Sequence, residues 1–322
     1  FKSKKMHGVK RAPKGPVDPA ATIASAQKVE KYARLRDEVI RRRKSKQYDE
    51  ESLKLTSDLL AINPEFYTVW NYRRELLRAL WQTKTAAEVD KLREDELRLL
   101  QQALIANPKS YCVWEHRRWI IGNYSGNLQQ ELALCSKALD LDERNFHCWH
   151  YRLDISRSAK ESPKDFLNFT TRKINQNFSN YSAWHYRSKF YPLVLKDSSN
   201  GQSCYLTGSL LEKELDFVQQ AFYTEPEDQS TWLYYRWLLH QHKESGEGNH
   251  MALIQQEIGR MEALLEAEPN CKYALLQLAL LLTQEDKSVE SREKARNIFC
   301  QLEDLDGTRK LHYQDMASAL QN

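Results

Sequence analysis

Glycine and proline are scarce in this chain, at 10 and 9 of 322 residues. So few turn formers argue against a β-rich fold, and 29% charged with 41% hydrophobic residues favours a mostly helical protein. No run approaches the roughly 18 consecutive apolar residues of a membrane span, so no stable membrane insertion is expected. The N-terminus lacks the apolar core of a signal peptide, which makes the expected location cytoplasmic. The six cysteines (Cys112, Cys135, Cys148, Cys204, Cys271 and Cys300) form no C-x-x-C pair and read as reduced, mostly buried thiols. A Gly-rich phosphate loop, a G-x-S-x-G elbow and an Asp-Asp-x-x-Asp cluster are all missing. The pairs Asp140/Asp142 and Asp304/Asp306 read as helix-boundary charges. No complete active site is encoded here.

The formal net charge of +4 hides an asymmetry. Residues 1–47 hold 15 Lys and Arg against 4 Asp and Glu, which leaves 33 basic and 40 acidic residues in 48–322. A nucleic-acid binder built from repeats carries its positive charge on the repeats, and this chain does not, so nucleic acid is not an expected partner. The run Arg41-Arg42-Arg43-Lys44 reads as a solvated helix face.

What is present is a recurring frame: an aromatic, then Trp three residues later, then Arg three further on. Pro64…Tyr67…Trp70…Arg73, Pro108…Tyr111…Trp114…Arg117, Phe146…Trp149…Arg152 and Tyr181…Trp184…Arg187 carry it, and Pro226…Trp232…Arg236 is a looser fifth copy. The tryptophans lie 44, 35, 35 and 48 residues apart, a spacing that predicts stacked helix pairs. The expected fold is all-α, a right-handed α-α superhelix in which helical hairpins form a crescent.

Repeats are expected around 63–77, 107–121, 142–155, 177–190 and 225–239, with a degenerate sixth around 268–282 where Leu275 and Leu278 replace Trp and Arg. A terminal copy that stacks on one side only is free to degenerate in this way. Each Asn-Pro is read as a helix start, with the proline inside the first turn. The aromatic, Trp and Arg are read as one broad apolar stripe, the arginine stacking on a ring or binding carbonyls at a helix end. Second helices are expected at about 86–105, 127–139, 163–175, 208–224 and 250–266, and loops at 196–209 and 240–249. Residues 1–20 are expected to be extended, with Met6 as a candidate natural start and 1–5 as added residues.

Two features bear on chemistry. His147, Cys148 and His150 cluster, but a metal wants a third and fourth ligand of defined geometry, which the sequence does not supply. Lys109 is read into the first turn of its helix, where exposed N–H groups favour an anion rather than a cation.

The frame Pro-x-x-Tyr-x-x-Trp-x-x-Arg-Arg, as in Pro108 to Arg118, resembles the α subunits of protein prenyltransferases, over about Glu50 to Asn322. Tetratricopeptide arrays share the architecture but keep a stricter period of about 34 residues and lack the Trp-x-x-Arg signature. Three segments, 142–149, 177–188 and 228–239, resemble the α subunits of Rab (type II) geranylgeranyltransferases more than the subunit shared by farnesyl- and type I geranylgeranyltransferases. Where that shared subunit has a glutamine gripping the carboxylate of a CaaX substrate, this chain has Cys112.

The resemblance implies a division of labour. A catalytic β subunit, the obligate partner, holds zinc and most of the active site, and geranylgeranyl diphosphate is the substrate. Transfer goes to C-terminal cysteines of Rab GTPases presented by a Rab escort protein. Lys109 is then expected to face the diphosphate with Tyr111 beside it, and Asn145 and His147 to face the substrates. Met6-His7-Gly8 resembles the start of such subunits, so His7 is expected as a self-inhibiting ligand to the partner's zinc. The immunoglobulin-like insertion and leucine-rich repeat domain of mammalian members have no counterpart here: only the short loop 241–249 stands where the insertion is expected. A CaaX-specific α subunit and a non-enzymatic peptide-binding scaffold are the alternatives.

Overall fold

The computed structural model describes residues 19–123, 126–198, 205–246, 248–285 and 288–320. His7, Met6, most of the segment expected to be extended and Cys204 lie outside the described residues. Among those described there is no strand. No helix among the described residues is long and apolar enough to cross a membrane.

The chain divides into two compact units, 1–160 and 161–322. The first holds α1 (Pro19–Lys44), α2 (Glu50–Ile62), α3 (Tyr67–Thr83), α4 (Ala86–Ala106), α5 (Tyr111–Gly122), α6 (Leu128–Leu141) and α7 (Phe146–Ser158). The second holds α8 (Pro163–Gln176), α9 (Tyr181–Ser198), α10 (Gly208–Thr224), α11 (Gln229–Ser245), α12 (His250–Ala267), α13 (Lys272–Glu285), α14 (Val289–Leu305) and α15 (Lys310–Ala319). The second helices fall close to their expected bounds. The expected loop at 240–249 is shorter, because α11 continues to Ser245 and ends on Gly246, whose left-handed φ of 65° suits a residue without Cβ.

The pairing of the helices corrects the sequence reading. The hairpins are α2–α3, α4–α5 and α6–α7 in the first unit and α8–α9, α10–α11 and α12–α13 in the second. Each Trp-bearing helix therefore closes a hairpin instead of opening one. The Asn-Pro motifs are corrected with it. Asn63 and Asn107 cap the C-termini of α2 and α4, and the prolines follow in the turn, where a residue without an N–H cannot extend the helix. Ser110 is the actual N-cap of α5, accepting from the Val113 N–H at 3.3 Å.

The tryptophan does more than wedge helices apart. In five copies its indole Nε1 donates to the carbonyl six residues back, in the turn: Trp70 to Pro64, Trp114 to Pro108, Trp149 to Glu143, Trp184 to Phe178 and Trp232 to Pro226, all at 2.8 Å. One large ring thus fills the core and ties down an otherwise orphaned turn carbonyl. The leading aromatic does not share its stripe. At about 100° per residue, two steps of three place it roughly 120° from the arginine. Tyr67, Tyr111, Phe146 and Tyr181 are accordingly exposed, while Trp70, Trp114, Trp149 and Trp184 are buried.

The repeat arginine has a partner that the sequence reading missed, a buried glutamate on the following helix. Arg73 grips Glu96 through two bonds of 2.7 Å, Arg117 grips Glu131 at 2.8 and 2.5 Å, and Arg187 grips Glu214 at 2.7 and 2.5 Å. The same carboxylates take a third bond from their own hairpin, from His116 (2.8 Å), Tyr151 (2.7 Å) and Tyr234 (2.7 Å) respectively. Each glutamate joins one hairpin to the next. The expected stacking also occurs, with Arg187 over Tyr191 and Phe217, whereas the carbonyl that Arg117 bonds, that of Leu97, lies in the middle of α4 and not at a helix end. In the fifth copy the position three after Trp232 is Tyr235, not Arg236. Tyr235 bonds Glu257 at 2.7 Å and Arg260 supplies the cation. Arg236 belongs to the next position, that of Arg74 and Arg118.

These joints give the fold an acid limit. Burial pushes the Glu96 carboxyl up, but the Arg73 charge and the bonds from His116 and Arg73 outweigh it and hold the group at about 2, against an ordinary 4.5. Arg74 donates to His116 Nδ1 at 3.3 Å, so the ring is neutral and donates from Nε2 to Glu96; burial holds its own pKa down. Both groups bind protons more readily unfolded than folded. Stability is therefore expected to fall as pH drops below about 6.5, when the unfolded imidazole charges, and further from about 4.5 towards 2. Denaturant midpoints measured from pH 7 to pH 3 check the sign: a midpoint that rises on acidification contradicts it.

Candidate functional site

The four expected site residues of the described chain cluster at two turns of the first unit: Lys109 and Asn145 lie in the turns 107–110 and 142–145, and Tyr111 and His147 at the starts of α5 and α7 that follow them. Lys109 is not in the first turn of α5. It precedes the Ser110 cap, so the helix-dipole conflict read from the sequence does not arise. Its ammonium reaches across to Asp142 Oδ2 at 3.4 Å, with both side chains about one-third exposed or more, at 40% and 34%.

Asn145 is buried and caps α7, accepting from the Cys148 N–H at 3.2 Å. Its Nδ2 donates to the Pro108 carbonyl at 2.8 Å, the same oxygen that receives the Trp114 indole. One asparagine thereby fixes the Lys109 turn against the next turn. Its hydrogen bonding is spent largely inside the protein, which makes it a support for the site.

Tyr111 opens α5 and is 65% exposed. His147 packs edge-on against it with ring centroids 4.1 Å apart, and Phe146 lies 6.1 Å away. Burial pushes the His147 imidazole down, the charges of His150 and Lys109 add to this, and Glu65 opposes it. A neutral ring results, able to donate or accept a hydrogen bond but not to act as a second cation. Burial raises the Cys112 thiol to about 11, with the Glu65 carboxylate adding to the shift, so this position offers no charge to a substrate carboxylate. The cluster therefore combines one ammonium, one exposed phenol and one neutral imidazole, a set suited to an anion that leaves in hydrogen-bonded contact with a cation.

Among the described residues no group of three or more His, Cys, Asp or Glu is arranged to hold a metal ion, and His147, Cys148 and His150 are no exception. A zinc ion does not fit this part of the chain.

Hairpins joined by Trp-capped turns and Arg–Glu clamps define a class of repeat protein. The protein prenyltransferase alpha subunit repeat matches residues 49–80, 93–124, 128–158, 163–192 and 211–242. Each match begins on the helix before the tryptophan, as the pairing does. The copy expected around 268–282 lies outside these ranges; there α12 and α13 pair with Leu275 and Leu278 buried.

The chain belongs to the family of geranylgeranyl transferase type-2 alpha subunits. It is 35% identical to the member from Dictyostelium discoideum over 304 residues, 94% of this chain and 95% of that one. It is 43% identical to the Homo sapiens member over 221 residues, 68% of this chain but 39% of the human protein. Its fold matches a chain of Candida albicans protein geranylgeranyltransferase-I complexed with GGPP, with a TM-score of 0.70 over 90% of this chain and 91% of that one at 23% identity.

Proposed function

We propose that this chain is the α subunit of a cytoplasmic heterodimeric enzyme that transfers geranylgeranyl from its diphosphate to C-terminal cysteines of Rab GTPases held by an escort protein. The observation that carries this reading is that Tyr111 packs on His147, whose ring feels the Lys109 charge, in a chain related to a type-2 alpha subunit along nearly its whole length. The zinc belongs to the β subunit, where it supplies the substrate cysteine as thiolate. That sulfur forms a bond to C1 of the isoprenoid as the C1–O bond breaks, and diphosphate departs with the electron pair. Lys109 meets the charge growing on the departing oxygen, Tyr111 donates to it, and the neutral His147 holds Tyr111 in place. His7 remains a proposed inhibitory ligand to the partner's zinc.

A partner fits the exposed apolar residues that flank these turns. Ile62 and Tyr67, Ile105 and Tyr111, and Leu141 and Phe146 bracket three successive turns of the first unit, and all are exposed. Repeated apolar pairs of this kind mark an interface better than a solvated edge.

Cys112 separates the proposal from the CaaX-specific alternative, because a thiol is a much weaker donor to a carboxylate than the amide of glutamine, and that of Cys112 already faces Glu65. The reconstituted heterodimer is expected to modify Rab presented by its escort protein and to leave a short CaaX peptide unmodified. Efficient transfer to the free peptide overturns the type-2 assignment.

A further inference from the structure

Four of the turns share a small device, built on asparagine in three and on aspartate in the fourth, and the aspartate points at Lys109. In turn after turn, the residue capping the preceding helix accepts through Oδ1 the backbone N–H two residues on. Asn63 takes that of Glu65 at 3.2 Å, Asn107 that of Lys109 at 3.3 Å, and Asn177 that of Ser179 at 2.8 Å. Asp142 does the same for Arg144 at 3.3 Å. The amide of asparagine suffices for this turn, as three copies demonstrate, because only one carbonyl-like oxygen is used. Aspartate adds a second oxygen and a negative charge. In Asp142 that extra oxygen is the one facing the Lys109 ammonium, at 3.4 Å.

We propose that Asp142 is a positioning residue for Lys109, holding the lysine ammonium across the two turns beside Tyr111 and His147 so that it meets the departing diphosphate. This rests on the reading of Lys109 as the group that faces that diphosphate. A lysine on a flexible four-carbon stem otherwise spreads over many rotamers. The pair is an ion pair, longer than a strong hydrogen bond, so an arriving phosphate oxygen is able to share the ammonium without first breaking a tight contact. Asn145 holds the two turns in register, and Asp142 holds the side chain that spans them.

Asp142→Asn tests this cleanly, since the amide keeps the oxygen that the turn uses and removes only the charge. In the heterodimer, kcat is expected to fall on the order of tenfold, as misplaced groups in an active site do. The KM for geranylgeranyl diphosphate is expected not to rise, because a negative charge near the diphosphate has been removed. In a Lys109→Ala background the same change is expected to have no further effect. An unchanged kcat, a rise in KM in place of the fall in kcat, or an equal loss with or without Lys109 overturns the inference. A silent Lys109→Ala sinks instead the reading on which it rests, so the two failures are distinguishable.

Discussion

Lys109→Ala in the assembled heterodimer is expected to lower kcat about 10²-fold, the usual loss when one donor to a developing charge is removed. The reason is local. Tyr111 and His147 are neutral groups, so among these three only Lys109 carries a full charge. Assembly should be unaffected, because the Lys109 side chain is 40% exposed and its pairing with Asp142 is a surface contact worth little to stability. KM for the isoprenoid diphosphate should change less than kcat, since the interaction strengthens as charge moves onto the leaving group. Lys109→Arg keeps the charge but alters its shape and is expected to recover only part of the rate. Single-turnover rates for the three proteins check this, and a Lys109→Ala rate within twofold of the parent removes Lys109 from the mechanism.

Glu96→Ala is the substitution expected to damage the fold most. It strips Arg73 of two bonds and His116 of one, and all three side chains are at most 4% exposed. A guanidinium left buried without its counter-charge costs about 3–5 kcal/mol. Arg73 retains bonds to the Leu53 carbonyl, Thr56 and Ser57, which keeps it from escaping to water. A loss of that size approaches the whole stability of many domains. Urea unfolding should show it. By contrast, Glu50→Ala at an exposed ion pair with Lys84 should shift the midpoint hardly at all. Equal effects from the two substitutions contradict the role given to the buried joints.

The recurrence of tryptophan made the architecture legible, because a residue that both fills a core and caps a turn carbonyl leaves a fixed spacing. The phase of the repeat was harder to read. Asn-Pro suits a helix start and equally the residue that stops one, and only the contacts decide that Asn63 and Asn107 end helices. Glu96, Glu131 and Glu214 were invisible because a lone charge on a helix reads as solvated, and nothing local shows that it faces an arginine 14 to 27 residues earlier in the chain. Arg236 misled by standing one position after the true equivalent, Tyr235. Lys109 stood out by residue type, but its partner Asp142 lies 33 positions on, in a pair that read as boundary charges. Cys112 was legible as the absence of an amide; its protonated state follows from burial.

The central claim is that this chain supplies a leaving-group cation to a reaction it cannot perform alone. Transfer of radiolabelled geranylgeranyl to Rab with its escort protein should be measured for this chain, for the β subunit, and for the two co-expressed and isolated as one peak by size-exclusion chromatography. Transfer only by a 1:1 complex that contains zinc is the expected result. Transfer by this chain alone, or full activity of the β subunit without it, contradicts the account.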